Sequence, residues 1–123
     1  MTKRAIPFAI IATIALASLT ACTPNSTKSG TTLTVDSSAT ACTVSSATAP
    51  SGTLTFAVKN SGDTTTEFYL LAADGLRIVG EVENVGPGLS RNLVVQATAG
   101  KYFTECKPGM AGDGIGQAPF TVT

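Results

Sequence analysis

The sequence predicts an all-β sandwich of about seven short strands, and three observations carry that expectation. Apolar and polar residues alternate in several stretches, most cleanly over Thr53-Leu54-Thr55-Phe56-Ala57-Val58-Lys59-Asn60, as they do where a strand buries one face. Gly, Pro, Asn and Asp punctuate the chain every 8–12 residues or so, the spacing of turns in a sandwich or barrel. No long amphipathic helical pattern follows the N-terminal apolar run. The 123 residues suffice for one domain. Lys plus Arg and Asp plus Glu number 8 each, and no basic patch is present, so nucleic acid is excluded as a partner.

Lys3-Arg4 forms a positive start, and Ala5 to Leu19 is an uncharged apolar run too short for a confident spanning helix. Leu19-Thr20-Ala21-Cys22 closes it. A small residue before a Cys, with Leu three before it, resembles the bacterial lipobox. The resemblance implies cleavage before Cys22 and diacylglyceryl attachment to its thiol. Residues 1–21 then read as a lipoprotein signal peptide. Residues 22–32 read as the lipidated Cys and a Thr/Ser/Asn-rich flexible tether. The domain proper spans 33–123 and sits on the extracytoplasmic face of the cell membrane, which is its partner through the lipid. Without Lys3 and Arg4, six basic residues face eight acidic ones, a net charge of −2.

Leu33 and Val35 alternate with polar residues and open the first strand. Ala49-Pro50-Ser51-Gly52 is a turn signal, and Thr53–Asn60 is the second strand, with Leu54, Phe56 and Val58 inward. Asn60-Ser61-Gly62-Asp63 turns the chain. Thr64–Ala72 makes the third strand, Ala73-Asp74-Gly75 a turn, and Leu76–Glu83 the fourth strand. Val85-Gly86-Pro87-Gly88 is read as a loop. Leu89, Arg91, Leu93 and Val95 share a face of the fifth strand. After Ala99-Gly100 the sixth strand puts Tyr102, Thr104 and Cys106 on one face, and Phe120-Thr121-Val122-Thr123 closes the chain as the seventh.

There are three cysteines. If Cys22 carries lipid, Cys42 and Cys106 remain as an even pair. In an oxidising compartment such a pair is a structural disulfide by default, and two free thiols at one place are a soft-metal site. Both readings stand on the sequence alone. Closing a loop of that size contributes about 4 kcal/mol by the chain-entropy model.

The sixth strand runs into Cys106-Lys107-Pro108-Gly109-Met110: a thiol, a tight turn, then a thioether. That order resembles the metal-ligand loop of cupredoxins, and implies a Greek-key cupredoxin-like sandwich. The run Val58-Lys59-Asn60-Ser61-Gly62 resembles the segment leading to that family's first His ligand, whose place looks taken by Glu67. More narrowly, Cys42, Glu67-Phe68-Tyr69, the run Gly80 to Gly88 and the run Cys106 to Ile115 look like the EfeO-type cupredoxin domain. Members of that group usually continue into a helical metal-binding domain, whereas this chain ends at Thr123. The resemblance implies copper or iron as cofactor, with Cys42, Glu67, Cys106 and Met110 as ligands. It also implies an extracytoplasmic role in ferrous iron uptake beside an iron permease or peroxidase. Thiolate and thioether favour Cu(I), and a carboxylate suits iron or Cu(II). With no His in the chain, the trigonal His₂Cys blue-copper set cannot form.

Other chemistry-bearing residues read as ordinary surface or core. Glu81 and Glu83 point the same way on one strand and, with Asp113, make either a solvated acidic face or a second hard-metal site. Tyr69 and Tyr102 read as half-buried sandwich residues. The glycines of 109–116 lack the Lys-Ser/Thr and the following helix of a phosphate loop. No enzymatic activity is expected, since a thiol pair without His has no evident activator. The rival to metal binding is a disulfide-stapled interaction module.

Overall fold

Nine strands and one short 3₁₀ turn make up residues 30–123, the part of the chain that the computed structural model describes. The strands are β1 (Thr31–Ser37), β2 (Cys42–Val44), β3 (Thr48–Ala49), β4 (Gly52–Asn60), β5 (Thr66–Leu71), β6 (Ile78–Val85), β7 (Ser90–Ala97), β8 (Gly100–Cys106) and β9 (Ile115–Val122). The turn, Pro108–Met110, follows β8. The segments expected as signal peptide, lipidated Cys22 and tether, as far as residue 29, lie outside the described residues.

The strands form two sheets, in the orders β2-β1-β4-β7 and β3-β9-β8-β5-β6. Neighbours are antiparallel except β1/β4 and β3/β9, which run parallel. All seven expected strands exist. β2 and β3 are additional, and β9 begins at Ile115 rather than near Phe120. Val85, expected in a loop, is the fully buried last residue of β6 and pairs with Thr66.

The core lies between the sheets. β4 contributes Leu54, Phe56 and Val58, all fully buried, as their alternation predicts. Facing them from the second sheet are Phe68 and Leu70 of β5 and Phe120 of β9. The Phe56 ring lies 5.2 Å from that of Phe68 and 5.6 Å from that of Phe120, centroid to centroid. Tilted and edge-on contacts of this kind add about 0.5–1.5 kcal/mol per pair beyond buried area. Only part of the face expected for the fifth strand is inside: Leu93 on β7 is buried, while Leu89, just before the strand, is exposed.

Candidate functional site

The two sheets are joined covalently at one end of the sandwich. Cys42 opens β2 in the first sheet and Cys106 ends β8 in the second, and their sulfurs are bonded (Sγ–Sγ 2.01 Å, Cα atoms 5.5 Å apart). Each arrives by register. Cys42 pairs with Ser37 across β1/β2, and Cys106 pairs with Phe68 across β5/β8. Cys106 is fully buried within the core and Cys42 is half-buried against it. Two glycines make the approach possible. Gly116 has φ +62°, and a Cβ there would stand 2.7 Å from the Cβ of Cys42, so a larger residue would push β9 off β2. Gly109 has φ +80° and lets the chain turn sharply after Cys106, with its N–H donating to the Thr65 carbonyl.

Buried polar residues surround this end. The Ser37 and Thr66 hydroxyls share a 2.8 Å hydrogen bond from one sheet to the other. Asn60 donates through Nδ2 to the carbonyls of Thr64 and Val85, and its Oδ1 accepts from the Gly62 N–H. It thereby ties the end of β4 to the β4–β5 turn and to β6. The polar signal of Asn60-Ser61-Gly62 was legible as a turn; its inward reach to Val85 was not.

Of the four residues expected as ligands, the structure brings together Cys42 and Cys106. Glu67 lies on the other face of its sheet. Phe68 and Cys106, as register partners, project together into the core, and side chains alternate along β5. Glu67 and Tyr69 therefore lie on the opposite face of the sheet, where both are nonetheless buried, and Thr66, like Phe68, faces inward near this end. The Tyr69 hydroxyl donates to Glu67 Oε2, and the Lys107 ammonium sits 5.3 Å from the Tyr69 ring centroid. Met110 stands on the 3₁₀ turn with φ +57° and is 37% exposed. No group of three or more His, Cys, Asp or Glu placed to hold a metal ion occurs among the described residues.

Glu81 and Glu83 flank buried Val82 on β6 and are exposed, as expected of a shared outward direction. Their charges reach Tyr69, whose register partners are Glu81 and Glu105. Burial pushes the Tyr69 phenol well above its ordinary value, and its hydrogen bond to Glu67 adds to the shift. A phenol held protonated by the fold adds stability that is intact below the unfolded value of about 10 and is lost as pH rises beyond it. In a Tyr102→Phe background, tyrosinate absorbance from Tyr69 is therefore expected only together with alkaline unfolding, and Glu67→Gln should bring it to lower pH. Ionisation of Tyr69 near pH 10 with the fold intact would contradict this environment.

With the geometry in place, the comparisons identify the class. The sequence matches the model of the cupredoxin-like domain family over residues 9–115, and the chain belongs to that family. The structure of dithionite-reduced auracyanin from the photosynthetic bacterium Roseiflexus castenholzii is similar, with a TM-score of 0.57 at 20% sequence identity, covering 76% of this chain and 97% of that one. At that identity the likeness speaks for the fold. No curated protein matches the sequence.

Proposed function

We propose that this chain is a lipid-anchored, extracytoplasmic metal-binding cupredoxin-like protein that holds copper through Cys42 and Cys106 when their bond is reduced. The observation that carries the reading is the meeting of two sulfurs, one from each sheet, at a single end of the sandwich. Family membership supports it. The donor set favours copper. Two thiolates suit Cu(I), whereas a hard ion such as iron would need Glu67, which lies on the outer face. The bonded pair offers no thiolate, so the oxidised chain does not fit a copper ion and the reduced one does. Bound there, Cu(I) would supply a soft one-electron centre. The protein's own part is to hold the two sulfurs together at one end of the sandwich, Cys106 buried and Cys42 half-buried. In this reading the chain binds and passes on metal within an EfeO-like acquisition system, beside a permease or peroxidase, and catalyses no reaction itself.

A second reading has its own support: the bridge favours a stapled module that binds an envelope partner without metal. Titration of the reduced full chain with Cu(I) against a chromogenic competitor separates the two. One equivalent, lost in Cys106→Ser and not matched by Fe(II), is expected. No uptake by the reduced chain would leave the stapled module.

A further inference from the structure

We propose that the Cys42–Cys106 bridge is a thiol–disulfide exchange site of fixed polarity, at which an incoming thiolate attacks Cys42 and expels Cys106. Exchange requires the attacking sulfur to approach along the line of the S–S bond, so access decides which sulfur is struck. Behind Cys106 lies the core, and the residue is 0% exposed. Cys42 is half-buried and lines a cavity of about 80 Å³ together with Val44, Ser46, Thr104, Ala118 and Phe120. That volume exceeds what one water needs, so there is open space beside Cys42. β2 is moreover an edge strand of only three residues, paired on one side to β1. An approaching chain therefore meets Cys42 from the open margin of the sheet.

The electrons balance with a dithiol as reductant. One thiolate of the dithiol bonds to the Cys42 sulfur; the Cys42–Cys106 bond breaks, its electron pair stays on Cys106, and that sulfur takes up a proton. The second thiolate of the dithiol then attacks its partner sulfur in the mixed disulfide. Cys42 leaves as a thiolate and the reductant is closed as a disulfide. Two electrons pass, and the protein ends with two thiols. The bridge also holds β2 to the second sheet, so its opening leaves that strand held by its short ladder to β1 and its packing on Gly116 of β9. Reoxidation reverses both steps. This deepens the metal-binding reading, which needs the bridge to open, but its test reads sulfur connectivity and not metal. A chain that exchanges at Cys42 yet takes up no copper fails that reading and keeps this one.

The test uses the full chain carrying Cys22→Ala, prepared without reductant and kept folded in an excess of glutathione. Samples are quenched with acid, alkylated and mapped as peptides. Glutathione on Cys42 with alkylated Cys106 in the same molecules, at least tenfold over the reverse arrangement, is the expected result. Adducts on Cys106 in equal or greater amount overturn the polarity. Exchange that begins only in denaturant overturns the site itself and leaves a purely structural bridge.

Discussion

Reducing the Cys42–Cys106 bridge is expected to lower the stability of the folded chain by about 4 kcal/mol. The bond closes a sequence separation of 64 residues. The denatured reduced chain regains that loop's freedom, while the native sheets lose only a tether. The effect is large because a domain of this size has little to spare: native stabilities run to roughly 5–15 kcal/mol in all. It converts to a fall in Tm of roughly 15–30 °C, at about 4–8 °C per kcal/mol for a small domain. Denaturant midpoints of the oxidised and reduced chains, at matched slope, measure it. A difference below about 1 kcal/mol would mean that the staple has little effect on the folding equilibrium. The predicted size also bears on function. A reduced chain that retains part of its stability can stay folded long enough to bind metal.

Phe56→Ala should be as damaging by a different route. Its ring is fully buried and touches Phe68 and Phe120, so it links β4 of one sheet to β5 and β9 of the other. Truncation removes the transfer energy of the ring, leaves a cavity that the sheets cannot close, and abolishes two aromatic contacts. Losses of about 3–5 kcal/mol are usual for such sites. Leu76→Ala is the control. Leu76 is 81% exposed and its loss should stay within about 0.5 kcal/mol. Equal effects from the two variants would contradict the assignment of the core.

Much of this architecture was legible from local pattern. The alternation of β4 announced Leu54, Phe56 and Val58 as core, and Thr104 and Cys106 fell on one inward face as their spacing implied. The missed elements share a cause. β2 and β3 are three and two residues long, too short to show a period, and lie in a Ser/Thr-rich stretch. β2 is held by a short hairpin to β1 and by the bond to distant Cys106, and β3 by its parallel pairing to distant β9. The start of β9 was hidden because Gly116 and Pro119 read as breakers, although Pro119 sits opposite Phe103 within the ladder.

At the site, the pairing of Cys42 with Cys106 was one of two open readings of an even cysteine count. The placement of Glu67 beside them came from resemblance, and strand parity opposes it. Phe68 is the apolar residue of that pair of positions, so its neighbour Glu67 must face away from whatever Phe68 packs on. Its interaction with Tyr69, two residues along, follows from the same parity. Ser37 and Thr66 carried no signal in the sequence, because their bond spans the sandwich between β1 and β5.

The most direct test of the account is the state of the cysteines in the folded chain purified without reductant. Alkylation followed by peptide mapping should leave Cys42 and Cys106 unmodified and recover them as one cross-linked pair, both becoming alkylatable after reduction. Two alkylated cysteines before reduction, with no cross-linked peptide, would contradict the joined sheets and every inference drawn from them.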